Sequence, residues 1–320
     1  MKKKIMALLL LLIFTVTGCS NGNINKNVDA DNKNHEIYYT FTDSRGNTVV
    51  LEKRPERIVS LVGSYAETWI LAGGEVTGVT DDVIQEARLE VSEEISIVGT
   101  VKEPNIEEIL SLSPDFILLS PDIENHLKIA EILKDTNIAH AYFKVEYFED
   151  YLNMLDICTD ITGNKDLYEE HGLKVKNDIE GILFEIENNG SDKPEVLFVR
   201  AFSSGAKAKK DDNLTCRILE DLGTVNIASK HPSLLEELSI EKIIEEDPDF
   251  IFVTTMGNTE KAVEALKNGI EKNPAWSNLS AVKNDRYIIL PKELFHYKPN
   301  AKWGESYKYL AEIIYPEIFN

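Results

Sequence analysis

The chain has 320 residues, of which 34 are Lys or Arg and 55 are Asp or Glu, giving a formal net charge of −21. With 43% apolar residues, 17 Gly and 11 Pro it is neither disordered nor fibrous in composition, and its acidity argues against a nucleic-acid binder, which needs a basic face. Three cysteines are too few for a disulfide framework, and the length suits about two domains of ~150 residues each.

Lys2, Lys3 and Lys4 open the chain, and residues 5–16 are apolar except Thr15. A basic head before a short apolar run reads as an export signal; the run is too short to cross ~30 Å of hydrocarbon as a stable helix. Val16-Thr17-Gly18-Cys19 resembles a bacterial lipoprotein box, with Val16 where Leu is usual. That resemblance implies that Cys19 becomes a lipidated N-terminus, held at the membrane by two or more acyl chains; the alternative is an ordinary cleaved signal with an incidental cysteine. Loss of the three lysines would take the charge from −21 to −24. Residues 19–37, rich in Asn, read as a flexible tether.

Residues 38–51 then read as a hairpin around Ser44-Arg45-Gly46-Asn47. Strand patterns over 57–62, 76–79, 116–120 and 138–143 alternate with helical ones over 65–72, 106–112 and 123–133. From 148 to 189 the strand signal disappears, and 165–187 suits one long helix of about 35 Å. Alternation resumes with strands over 195–200, 250–255 and 286–290 and helices over 214–222, 240–246 and 259–268. Alternation of this kind implies mostly parallel sheets built from βαβ units. Cys158 and Cys216, on separate helices, read as buried thiols rather than a bridge.

The two halves repeat each other. Asn105 to Ser120 (NIEEILSLSPDFILLS) aligns without a gap with Ser239 to Thr254 (SIEKIIEEDPDFIFVT), and Pro55-Glu56 and Pro194-Glu195 open the first long strand of each half. The reading is an α/β fold of two Rossmann-like lobes, 38–163 and 191–320, joined by a backbone helix over 164–190. Lobes joined in this way leave a cleft faced by the carboxyl ends of their strands.

Several segments in order carry a family resemblance: Thr42-Asp-Ser-Arg-Gly-Asn-Thr-Val49, Pro55-Glu-Arg-Ile-Val-Ser-Leu61, Val98-Gly-Thr100, the Asn105 segment, and Asn273-Pro-Ala-Trp-Ser-Asn-Leu-Ser-Ala-Val282. Together they resemble the helical-backbone substrate-binding lipoproteins of ABC importers, which carry ferric siderophores, haem and cobalamin. The resemblance implies a small-molecule cargo, a cognate permease with its cytoplasmic ATPase, no cofactor, no catalysis and a monomer on the outer face of the cell membrane. It also implies that Glu107 and Glu241, at matching places in the repeats, contact permease arginines; locally, Asn105 and Ser239 are good N-caps, and a first-turn Glu complements the helix dipole. Two departures stand out. Val62-Gly-Ser-Tyr-Ala-Glu67 replaces the usual Ser-Pro-Ser-x-Thr-Glu, and Gly223-Thr224 replaces a Gly-Gly pair.

For the cleft, Ser64 and Tyr65 follow the first strand of the first lobe, with Ser64 and Glu67 forming a capping box. Lys102 adds charge from the same lobe. In the second lobe Arg200, Phe202, Lys207 and Lys209 occupy a basic stretch around Gly205, readable either as a ligand loop or as a solvated one, with Phe202 stacking on a ligand or on its own lobe. His296, Tyr297, Lys298 and Lys302 follow the last strand. Basic and aromatic groups together suit an anionic, flat-faced ligand, a ferric siderophore before haem or cobalamin. His296, Tyr65 or Tyr297 are the available ligands for a haem iron, and the six scattered His argue against a bare metal ion. The rival classes are an exported chelatase-like enzyme, which lacks a nucleotide loop, a Ser-His-Asp pattern or a Cys cluster, and a scaffold lipoprotein without a ligand.

Overall fold

The computed structural model describes residues 37–189, 193–210 and 212–319. Cys19, the export signal and nearly all of the expected tether lie outside the described residues. Strands β1 (Tyr39–Thr42) and β2 (Thr48–Leu51) pair antiparallel, Tyr39 opposite Leu51 and Thr42 opposite Thr48. The turn between them closes because the Asp43 carboxylate accepts the backbone N–H groups of Arg45 and Asn47.

The first lobe carries β3 (Ile58–Ser60), β4 (Gly78–Val79), β5 (Ser96–Ile97), β6 (Phe116–Leu119) and β7 (Ala139–Tyr142), all parallel, in the order β5-β4-β3-β6-β7. The second carries β8 (Glu195–Phe202), β9 (Gly205–Ala208), β10 (Val225–Asn226), β11 (Phe250–Thr255) and β12 (Tyr287–Ile289). Its parallel order is β10-β8-β11-β12, with β9 folded back antiparallel on β8. Both β6 and β11 are wholly buried, which is why their sequences, FILL and FIFVTT, do not alternate.

Alternation instead divides two cores. Phe116 and Leu118 of β6, and Phe198 and Phe252 of β8 and β11, join one apolar core that runs through both lobes; Ile117 and Leu119, and Val199 and Val253, face separate cores on each lobe's outer side. The lobes are thus fused through their inner faces by the helices Phe148–Thr162, Lys174–Asn189 and Trp303–Ile314.

The repeated Pro-Asp step has one physical job, done twice. Asp115 bonds through its N–H to the Arg57 carbonyl, and its carboxylate accepts the N–H of Glu56 and of Arg57. Asp249 bonds likewise to the Glu195 carbonyl and accepts the Glu195 N–H at 2.8 Å. Each aspartate ties the start of a central strand to its neighbour.

The connecting segment differs from one straight helix. The helix Phe148–Thr162 ends at Gly163 in the left-handed region, φ 74°. A short helix, Lys165–Tyr168, then opens into a π-helical turn, Glu169–Leu173, before Lys174–Asn189. Gly172 is closely packed there: a Cβ would lie 3.2 Å from the side chains of Leu152, Leu155 and Tyr168, which would have to shift by a few tenths of an ångström.

Candidate functional site

The carboxyl ends of β8 and β11 form one side of the site. Strand pairing puts Lys207, Arg200 and Thr254 in a row across β9, β8 and β11, because Arg200 pairs with Lys207 on one side and with Thr254 on the other. Paired residues share a face, and this face is the one turned to the shared core, since Phe198 and Phe252 lie two residues earlier on it. The basic stretch expected as a loop is therefore largely a hairpin: β8 runs on to Phe202 and returns as β9. The Phe202 ring lies beside Gly205 within that hairpin, and Phe202, two residues past Arg200 on β8, is half-buried on the same face.

The charges in this row are not equivalent. Lys207 is exposed. Lys209 is paired with Asp212 at 2.5 Å. Arg200 is half-buried, has no carboxylate within ion-pair distance among the described residues, and is held below its ordinary pKa first by burial.

The segment 291–302 forms the other side and crosses to the first lobe. Asn300, buried and in the left-handed region at φ 51°, donates from its amide to the Ser64 carbonyl and to the Glu67 carboxylate, both at 2.9 Å. Arg88 joins the same cluster. It donates to Glu67 at 2.6 Å, to Glu86 at 2.5 Å and to the Lys298 carbonyl at 3.0 Å, and its guanidinium lies 5.9 Å from the centre of the Tyr297 ring. Lys298 donates to the Val145 carbonyl. Burial pushes the Lys298 ammonium down and the Glu86 carboxyl up. The His296 ring is tilted at 48° to that of Tyr297 with centroids 5.3 Å apart, and its pKa is pushed down to about 4 by burial, then by Arg200 and Lys292.

Several expectations need correcting. Tyr65 does not face a cleft; it is 2% exposed, and its hydroxyl donates to the Phe143 carbonyl at 2.5 Å. Ser64 and Glu67 form no capping box. The helix starts a residue earlier, at Gly63 after Val62, so Ser64 lies inside it, its carbonyl accepts from Thr68 and Asn300, and Glu67 is held by Arg88 and Asn300. Lys298 is a lobe-to-lobe contact rather than an open cation. Lys102 and Lys302 are exposed, and neither is drawn into this cluster.

Glu107 and Glu241 are exposed at matching places, each the second residue of its helix, Ile106–Ser111 and Ile240–Glu246. Asn105 caps the first helix, accepting from the N–H of Glu107 and Glu108. Ser239 accepts the Lys242 N–H of the second and donates to the Glu241 carboxylate. Arg88, Glu67, Asn300 and Thr254 join the site without a motif in the sequence that marks them as its components. Arg88 had a signal, being the only cation in the acidic stretch 81–95.

Five buried side-chain atoms have no hydrogen-bond partner among the described residues: Ser64 Oγ, Arg200 Nε, Thr254 Oγ1, His296 Nδ1 and Trp303 Nε1. No group of three His, Cys, Asp or Glu is placed to hold a metal ion among the described residues, and no described helix is long and apolar enough to cross a membrane.

Comparison with known proteins agrees with this architecture. The family described as "Periplasmic binding protein" matches residues 58–294. A Bacillus subtilis protein named as a putative ABC transporter substrate-binding lipoprotein, YhfQ, is 27% identical, covering 89% of each chain. The Fe(3+)-citrate-binding protein YfmC of the same organism is 29% identical over 88% of this chain and 86% of its own. Among solved structures, the TroA-like periplasmic binding protein FepB from Veillonella parvula superposes with a TM-score of 0.70 at 20% identity, covering 88% of this chain and 91% of its own, and bears out the two-lobed α/β fold.

Proposed function

Since this chain belongs to the periplasmic binding protein family, we propose that it is the substrate-binding lipoprotein of an ABC importer, and that its cargo is an iron chelate. The names of YhfQ and YfmC support the transport role and the iron cargo respectively. The observation that carries the reading is the Lys207–Arg200–Thr254 row at the carboxyl edge of the second lobe, beside His296 and Tyr297. It is a cationic, aromatic edge on a chain of net charge −21, and it sits where open α/β sheets bind ligands. The reading prefers a ferric siderophore or a related anionic chelate to haem because the edge offers cations, Arg200 and Lys207, while the Tyr65 hydroxyl, one of the three candidate haem-iron ligands, is committed to a backbone carbonyl.

In this reading the protein performs no chemistry. It captures cargo outside the membrane, anchored through Cys19, and presents Glu107 and Glu241 to a cognate permease whose ATPase lies on the other side. The shared core keeps lobe closure small. The test is a thermal-shift and tryptophan-quenching titration of the detergent-solubilised full chain with ferric chelates of several classes. A sub-micromolar ferric complex supports the reading, since a ligand of the native state raises stability by RT ln(1 + [L]/Kd). Silence toward all of them removes the iron cargo.

A further inference from the structure

Arg200 is half-buried with no carboxylate in ion-pair distance among the described residues. Its Nε has no hydrogen-bond partner among the described residues, and Asp212, which acts on it electrostatically, is paired with Lys209. Beside it in register, Thr254 Oγ1 is buried and has no hydrogen-bond partner among the described residues. His296, close enough for Arg200 to depress its basicity, has Nδ1 in the same condition. Buried polar groups are ordinarily satisfied, so three neighbouring exceptions call for a common cause. Arg200 can only donate, and a hydroxyl and an imidazole can donate as well.

They also share a place. Arg200 and Thr254 stand at the carboxyl ends of β8 and β11, and the chain leaves β8 toward β10 on one side while β11 lies on the other. This is the crevice where the strand order reverses, the usual binding point of an open α/β sheet. Lys207 and Lys292 add positive charge around it.

We infer that Arg200, Thr254 and His296 form a carboxylate-recognition subsite, the guanidinium fork taking a carboxylate of the cargo while the threonine hydroxyl and the imidazole donate to its remaining lone pairs. This rests on the iron-chelate reading and narrows it to chelates that present carboxylates. The planar fork matches a carboxylate through two parallel bonds, a geometry that neither a lysine nor diffuse positive charge reproduces.

Three ferric complexes discriminate: ferric citrate, ferric tris-catecholate and neutral ferric tris-acetohydroxamate, titrated into the detergent-solubilised full chain and its Arg200→Gln, Arg200→Lys and Thr254→Val variants. Ferric citrate is expected to bind the parent protein, with affinity falling about 30-fold or more in Arg200→Gln and nearly as far in Arg200→Lys, which keeps the charge and loses the fork. Thr254→Val should cost about fivefold. Without ligand, Arg200→Gln and Thr254→Val should melt no lower than the parent, because each removes an unsatisfied buried group; a merely structural arginine would lower the melting point. Unchanged citrate affinity in Arg200→Gln, or lower unliganded melting points in both variants, overturns the subsite and leaves the transport reading intact. So does a parent protein that binds the catecholate or hydroxamate complex but not citrate. A parent that binds none of the three overturns the iron-chelate reading and the subsite with it.

Discussion

The Asn300 amide donates to the Glu67 carboxylate at 2.9 Å, joining residues 233 positions apart and on different lobes. Asn300 reaches that position only because its backbone sits at φ 51°, a conformation asparagine tolerates better than most residues. Through Glu67 the contact extends to Arg88 and from there to the Lys298 carbonyl. The segment that carries His296 and Tyr297 is thereby pinned to the first lobe.

Substitution at Asn300 separates the two contributions. Asn300→Gly keeps the left-handed backbone cheap and loses both side-chain bonds, for an expected destabilisation of about 2 kcal/mol. Asn300→Ala adds about 1 kcal/mol of backbone strain. Urea unfolding of the two variants measures the difference; equal midpoints would mean that the left-handed backbone contributes nothing.

Tyr65→Phe tests the reassignment of that residue to the core. The variant loses the bond to the Phe143 carbonyl, for about 1 kcal/mol of stability. Its ligand titration should superpose on that of the parent protein. A large loss of affinity would return Tyr65 to the binding site.

His296 makes stability depend on pH. Its folded pKa of about 4 lies below the unfolded value of 6.5, so the unfolded chain takes up a proton first as pH falls. Stability present above pH 6.5 is therefore lost progressively down to about pH 4, by about 2 kcal/mol after allowance for partial exposure. In His296→Gln, that share of the difference between pH 7 and pH 4.5 should vanish from the urea midpoints.

Permease docking is separable from capture. Glu107 and Glu241 are exposed on the helices Ile106–Ser111 and Ile240–Glu246, outside the Arg200 row, so Glu107→Ala combined with Glu241→Ala is expected to abolish uptake in cells while cargo affinity stays within about twofold. Normal uptake by the double variant would remove these residues from the docking surface.

The parts of this protein legible in its sequence are those governed by local rules. Helices Ile240–Glu246 and Thr259–Asn268 run as their periodicity predicts, and the Pro-Asp repeat marks the same strand junction in both lobes. What was not legible depends on partners remote in the chain. Ser64 and Glu67 have the spacing of a capping box, but whether they form one is decided by Asn300, 233 residues past Glu67, and by the helix beginning at Gly63. Tyr65 follows a strand that points to the cleft, yet a phenol with an apolar body and one hydroxyl is equally suited to a core that offers a carbonyl. The basic run 200–210 looks like a loop because no local signal shows that β9 folds back on β8.

The π-turn at Glu169–Leu173 sets a rotation rather than a distance. One extra residue in an α-helix advances the phase of its apolar stripe by about 100°. Before the turn, Tyr168 packs with the helix Phe148–Thr162; after it, Val175 and Asp178 meet Gly304 of the helix Trp303–Ile314. A single helical strut can therefore present two of its sides to the one core that both lobes share. Deleting one residue from that turn is expected to rotate Lys174–Asn189 against the shared core, so that the cost falls on the seam between the lobes and not on either sheet.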